Sequence, residues 1–232
     1  MDEMYSRTKM LIGEKALDKL KNSKVIVFGV GGVGGYVVEA LARSFIGSIT
    51  VVDNDTVSVS NLNRQILAVQ NTISKSKVQV AKERILSINP LCNVTALEMF
   101  FLPENSAEID FSEYDYIVDA IDTVSAKLEL CKIAQKLGIP IISSMGTGNK
   151  LRPDMLEITD IYKTSVCPLS RAMRQLCKKN GIKKLKVVYS KEEPKSAEKV
   201  IENNKPIPSS CAFVPAGAGI IIASAVVNDL IS

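Results

Sequence analysis

The stretch Lys24–Asp55, KVIVFGVGGVGGYVVEALARSFIGSITVVDND, decides the fold. Val25 to Phe28 is a short apolar run with β-branched side chains, the pattern of a parallel strand buried on both faces. Gly29, Gly31 and Gly34 follow at the G-x-G-x-x-G spacing. Val37, Val38, Ala40, Leu41 and Phe45 then give an apolar helical face. Ser48 to Val52 reads as a second strand that ends on Asp53, at close to the ~20-residue interval expected of a nucleotide fold. A glycine turn lets the backbone approach a phosphate, and a helix N-terminus offers unpaired N–H groups with a positive partial charge. A carboxylate at the second strand's tip can accept hydrogen bonds from ribose hydroxyls. Strand, turn, helix, strand and acid in this order point to a bound nucleotide.

Outward from this unit, Met10 to Leu20 reads as an amphipathic helix, with Leu11, Ile12, Ala16, Leu17 and Leu20 on one face. It leaves Arg7 on an arm ahead of the first strand. After Asp53 a polar loop runs through Asp55, Asn61, Arg64 and Gln65. Lys75 and Lys77 open a helix through Val78, Ala81, Ile85, Leu86 and Ile88, closed by Asn89-Pro90. Strands follow at Val94 to Met99 and Tyr116 to Asp119, then a helix from Val124 to Leu137 with Gly138 at its stop. Another strand spans Pro140 to Met145. This alternation is that of an α/β fold, with a Rossmann-like, doubly wound, mostly parallel sheet and a C-terminal extension. We divide the single domain 1–232 into an arm and helix (1–22), a nucleotide-binding core (23–148) and a substrate or dimer portion (149–232). Asp53, Asp122 and the glycine turn all fall at carboxyl ends of strands, where such sheets bind ligands.

The later part differs in character. Met155 to Ile161 alternates as a strand, and Pro168 to Lys179 reads as a helix with proline in its first turn. Arg171 to Lys191 holds eight basic residues and no acidic one, among them Arg171, Arg174, Lys183, Lys184 and Lys186. Residues from about 192 to 207 are polar and charged, the composition of a mobile loop. The segment Cys211 to Ile231 is almost all apolar. Pro215, Gly217 and Gly219 are expected to leave only a short helical run, below the ~20 residues of a membrane span. A buried or subunit-interface helix is expected, and no membrane.

Composition narrows the chemistry. The chain of 232 residues has no histidine, which removes the commonest general base and metal ligand. Five cysteines without a C-x-x-C pair suit a reducing cytoplasm and leave cysteine-bound zinc without support. The start MDEMYSRTKM lacks an apolar signal core, so secretion is not expected. A dehydrogenase would need a hydride site with an acid or base beside it, and none is evident. An ATP-using enzyme needs cations and a magnesium ligand, and Arg64, Lys77 and Asp122 are the right types.

The set G-x-G-G-x-G (Gly29, Gly31, Gly32, Gly34), D-x-D (Asp53, Asp55), N-x-N-R-Q (Asn61 to Gln65), S-K (Lys77), N-P and D-A-x-D (Asp119 to Asp122) resembles the adenylating domain of ubiquitin-activating-like enzymes. This family includes the molybdopterin and thiamin adenylyltransferases. The resemblance implies a homodimer, MgATP and activation of a carboxylate as an acyl-adenylate. It implies that Gly29 to Gly34 hold adenosine and phosphates, that Asp53 holds ribose, and that Asn61, Arg64, Gln65 and Lys77 line the triphosphate. Asp122 would hold Mg²⁺, and Arg7 would reach the neighbouring subunit's ATP. Members that activate sulfur carriers usually have two C-x-x-C pairs, absent here, and many carry Asn where Thr123 stands. The start YSRTKMLIGEKALDKLKNSK, DIYKTSVCPLSRAMR and the zinc-free C-terminal half are similar to the branch of tRNA threonylcarbamoyladenosine dehydratases. In that branch the basic run would attract tRNA. Some relatives use an acyl-accepting thiol, and Cys167 precedes a helix, where a thiolate is favoured. A sulfur-transfer protein partner is a further possibility the family brings. Two other readings stay open here: a zinc-free adenylyltransferase for a ubiquitin-like sulfur carrier, and a non-catalytic nucleotide-binding regulatory partner.

Overall fold

A computed structural model describes residues 2–195, 200–202 and 205–232. Two helices, α1 (Asp2–Ile12) and α2 (Glu14–Asn22), precede β1 (Lys24–Phe28). The chain continues through α3 (Gly34–Arg43), β2 (Ser48–Asp53), α4 (Lys77–Ile88), β3 (Asn93–Glu98), β4 (Tyr116–Asp119), α5 (Val124–Leu137) and β5 (Ile141–Ser144). Then come β6 (Leu156–Asp160), α6 (Pro168–Lys179), β7 (Lys186–Ser190), a small pair β8 (Val200–Glu202) and β9 (Lys205–Ile207), and α7 (Phe213–Ile231). Seven strands form one sheet in the order β3-β2-β1-β4-β5-β7-β6. All neighbours are parallel except the edge pair β6 and β7. The order reverses between β1 and β4, and a crevice opens at that switch point.

Strand β1 shows why the sheet is covered on both faces. Val25 and Val27 join the core under α3, α4 and α7, whereas Ile26 and Phe28 join the core on the α5 face. There Phe28 packs on Phe101 at 4.7 Å and stacks on Phe111 at 5.9 Å between ring centroids. Glu39 ties two helices of the other layer together. It accepts from Arg84 Nε and Nη2 at 2.8 and 2.9 Å, and from Arg43 Nε at 2.9 Å.

Four sequence expectations change. The single helix Met10 to Leu20 is broken at Gly13, whose φ of 82° no ordinary helix position tolerates. Leu17 and Leu20 are buried as expected, but Leu11 is 85% exposed. Helix α7 is continuous over 19 residues, long and apolar enough by length and composition to cross a membrane. Pro215 falls in its first turn, where a missing N–H breaks no helical bond. Its Val214, Ala218, Ile222 and Val226 are buried in the core beside α3. Strand β7 was hidden in the basic run, because Lys186 opens it and Lys191 follows it. The mobile loop expected at 192–207 falls partly on residues 196–199 and 203–204, outside the described residues. Its described portions include the antiparallel pair β8 and β9.

The Glu39 cluster gives a pH signature. Burial works against the charge, but hydrogen bonds from Arg84 and Arg43 outweigh it and hold the carboxyl below its ordinary 4.5. A lowered folded-state pKa stabilises fully above the ordinary value and is lost as pH falls through the lowered one. Glu39→Gln should therefore lower Tm at pH 7, and the gap to wild type should narrow steadily below pH 4.5 in thermal melts.

Candidate nucleotide site

The site begins where β1 ends. Gly29 has φ of 82°, and a Cβ there would lie 2.8 Å from the Ala120 carbonyl oxygen. A Cβ on Gly34 would lie 1.8 Å from the Gly29 carbonyl oxygen. Gly34 therefore seats the first turn of α3 against the strand end and does not itself face the crevice. Gly29, Gly31 and Gly32 do line it. Among the described residues no side chain caps α3 and its first turn has no acidic residue, so no negative group competes with an anion there, while the Gly35 and Tyr36 amides donate to the Gly31 and Val33 carbonyls, both at 3.0 Å.

Asp53 fixes the turn from the side. Its Oδ2 accepts from Val30 N at 2.8 Å and its Oδ1 from Asp55 N at 2.9 Å. Each oxygen keeps a second lone pair for a ligand hydroxyl. The crevice holds about 560 Å³. Lys77 reaches it from the start of α4, is 5% exposed, and donates to Asp55 Oδ2 at 2.7 Å. Asp55 is thus the counter-ion of Lys77. Arg64 spends Nη1 on Ser60 O and Asn63 Oδ1, both at 2.9 Å, which fixes the fork and leaves its other N–H groups for anions. The Asn61 Oδ1 accepts from Ser58 N at 3.1 Å, so its amide nitrogen remains a donor. Buried Gln65, in the wall of the crevice, has an Oε1 with no hydrogen-bond partner among the described residues. Such an orphaned acceptor fits a ligand or water donor.

Across the switch point, Asp122 is exposed, lines the crevice and makes no hydrogen bond among the described residues. A free carboxylate next to phosphates suits Mg²⁺, which takes one or two protein carboxylates and completes its shell with phosphate and water oxygens. Asp119 has another task. Its carboxylate is wholly buried, receives Lys127 Nζ at 2.9 Å and also accepts from Ser143. Lys127 Nζ donates further to Ile121 O at 3.0 Å, which fixes the loop that carries Asp122. Sequence reading missed Lys127. It also missed Met99, Phe100 and Phe101, which supply an apolar wall suited to a purine, with Phe100 52% exposed. Two adjacent aromatic residues just past a strand's carboxyl end were the available signal.

Other expected residues fall elsewhere. Arg7 is exposed on α1, outside the crevice of its own chain. Lys183, Lys184 and Lys186 lie at the amino end of β7, on the opposite edge of the sheet from the nucleotide crevice, in a different cavity with Tyr116 and Asp229. Lys186 is paired with Asp229 at 2.6 Å, and Arg174 donates to Thr164 O at 2.8 Å, so both serve the fold. Arg171 is exposed one turn into α6. Cys167 is buried in a second cavity that adjoins the crevice. Burial alone would raise its pKa, but the Ser170 hydroxyl and amide beside it and the charge of Lys150 outweigh that and hold the thiol below its ordinary range.

Fold and crevice together define a Rossmann-like nucleotide-binding domain with an anion cradle at its switch point. The chain belongs to the ThiF family, whose model matches residues 5–231. It is 43% identical to the tRNA threonylcarbamoyladenosine dehydratase of Bacillus subtilis, over 100% of this chain and 96% of that protein. The Escherichia coli protein of the same name is 39% identical over 76% of this chain and 66% of its own length. Among solved structures, Escherichia coli TcdA in complex with ATP matches with a TM-score of 0.91 at 33% identity, covering 99% of this chain and 94% of that one. The same protein in complex with AMP matches equally well.

The buried pair beneath Asp122 has a measurable cost when broken. Lys127→Met leaves the Asp119 carboxylate buried without its cation and should destabilise the fold by about 3–5 kcal/mol in urea unfolding.

Proposed function

We propose that this protein is a tRNA threonylcarbamoyladenosine dehydratase that spends ATP to cyclise the modified adenosine. The observation that carries this reading is the full-length match to the Bacillus subtilis dehydratase, in a chain whose crevice gathers Arg64, Lys77 and Asp122 around an open glycine turn. The phosphates of ATP would lie over Gly31 and Gly32 at the start of α3, where backbone N–H groups and the helix dipole favour negative charge. Arg64 and Lys77 add charge-assisted hydrogen bonds to the phosphates, and Asp53 accepts from ribose hydroxyls. Mg²⁺ held by Asp122 would neutralise phosphate charge when bound.

The chemistry then balances as two transfers. A carboxylate oxygen of the threonylcarbamoyl group attacks the α-phosphorus, and the bond to the bridging oxygen breaks as pyrophosphate leaves. The carbamoyl group attacks the resulting acyl carbon, the bond to AMP breaks, and one proton is released. The nucleoside loses one water in total. Both reacting groups sit on one tethered substrate, so no separate protein nucleophile is required, which agrees with a chain that has no histidine. Exposed Arg171 would attract the tRNA backbone, with affinity that falls as salt rises.

The active unit we infer is a homodimer. Arg7 stands outside its own crevice, and Met10 and Leu11 on the same helix are each 85% exposed, an apolar surface that a second subunit would cover. Arg7 would then complete the partner's triphosphate site.

Mass spectrometry of nucleosides from modified tRNA, incubated with protein and MgATP, should show loss of one water from threonylcarbamoyladenosine. An unchanged mass with protein that binds ATP rejects the function. Asp122→Asn should abolish magnesium-dependent turnover while leaving the melting temperature near wild type.

A second expectation concerns the dimer. Mixing inactive Arg7→Ala with inactive Asp122→Asn subunits should restore part of the activity, because one mixed site is intact. No rescue after heterodimers are shown to form would rule out the trans arrangement.

A further inference from the structure

The cavity beside the nucleotide crevice shares Val33, Ala120, Ile121, Asp122 and Thr147 with it. It holds about 360 Å³, within the range of small-molecule pockets. Met145, Leu169 and Pro208 make much of its wall apolar. One buried cation stands in that wall. Lys150 is 3% exposed, and its Nζ donates to Gly146 O at 3.0 Å. That is its one hydrogen bond among the described residues, so none of them supplies an acceptor for the remaining donors of this buried ammonium.

Two titratable neighbours act on Lys150, and neither makes an ion pair with it. Glu192 already accepts from the Leu151 and Arg152 amides at 2.8–3.1 Å. Cys167 lies in the same wall, and a sulfur is a weak acceptor. Burial holds the Lys150 ammonium below its usual range despite both neighbours. A buried cation without a carboxylate partner is costly, and a bound anion would remove most of that cost.

We propose that this cavity receives the threonylcarbamoyl group of the tRNA substrate, and that Lys150 recognises its carboxylate next to the shared Asp122 edge. The inference rests on the dehydratase reading above. The ligand must carry an anion for Lys150, apolar surface for Met145 and Leu169, and a reactive end able to reach the neighbouring phosphates. A threonine carboxylate attached through a carbamoyl group to a purine meets all three demands. Arg171 stands one helical turn beyond the Cys167–Leu169 wall, where the rest of a tRNA would pass. Attack on an anhydride brings one anion towards another, and a cation at the carboxylate lowers that repulsion.

The test measures steady-state cyclisation of modified tRNA by wild type and by Lys150→Met and Lys150→Arg, with ATP affinity by calorimetry. Lys150→Met should lower kcat/KM for modified tRNA by about 30-fold or more, with ATP affinity unchanged. Lys150→Arg should recover part of that loss, because it restores the charge. A second variant guards against misfolding of the first. A Cβ on Gly146 would meet Cys167 Sγ at 3.5 Å, an ordinary contact, so Gly146→Ala should fold while narrowing the cavity and raising KM for tRNA alone. Unchanged kcat/KM in folded Lys150→Met, or unchanged KM in Gly146→Ala if that variant alone folds, overturns this assignment and leaves the dehydratase reading standing. A wild-type protein that binds ATP but forms no cyclic product removes both.

Discussion

Everything in this fold that touches a nucleotide depends on one close approach, between the Gly34 Cα and the Gly29 carbonyl. A single methyl group at Gly34 would sit 1.8 Å from that oxygen, far inside any tolerable contact. Because the methyl is absent, α3 starts directly above the end of β1. The turn that leads into it, Gly31 to Val33, then lines the crevice. The same approach brings Val30 N within reach of Asp53, so the second strand's carboxylate braces the turn as well as facing the ligand side. The glycines are thus of two kinds. Gly31 and Gly32 leave room for a ligand, whereas Gly34 leaves room for the protein.

Charge in the crevice is arranged in pairs that a ligand can reshuffle. Lys77 is held by Asp55, an exposed carboxylate, so an incoming phosphate competes with a solvated partner and not with a buried one. Arg64 is oriented by a backbone carbonyl and an amide, which fix its direction without neutralising it. Asp119 and Lys127 form the one fully buried pair of the set, and they hold the loop under Asp122 in place. A pair of that kind is worth little as net stability against an apolar replacement, but its position specifies where the loop sits.

The first half of the chain was legible because each element there carries its own local signal. The apolar run of β1, the glycine spacing and the Gly138 stop are all contained within a few residues, and each fell where expected. The stop of α5 was read from Gly138 and the start of α6 from Pro168. What escaped had its cause at long range. Strand β7 begins and is followed by lysine, so its apolar Val187 and Val188 did not stand out until β5 and β6 flanked them. The role of Lys127 depends on a carboxylate eight positions earlier on a different element. Lys183 and Lys184 read as neighbours of Arg171, yet α6 runs the length of the sheet between them and puts them at opposite ends. Leu11 matched an apolar helical face by period, and Gly13 turned that face away from the core.

Helix α7 bears on how the molecule comes into being during synthesis. Gly219 permits a backbone approach to Val33 and Tyr36 that any side chain would block, so α7 lies directly on the helix that starts the nucleotide turn. Pro215 of the same helix lines the crevice beside Gly32, although the two are 183 positions apart in the chain. In a chain made only as far as β7, one flank of α3 would therefore have no α7 to cover it, and the crevice would lack Pro215 in its wall. The crevice is walled on that side only where α7 is packed on α3.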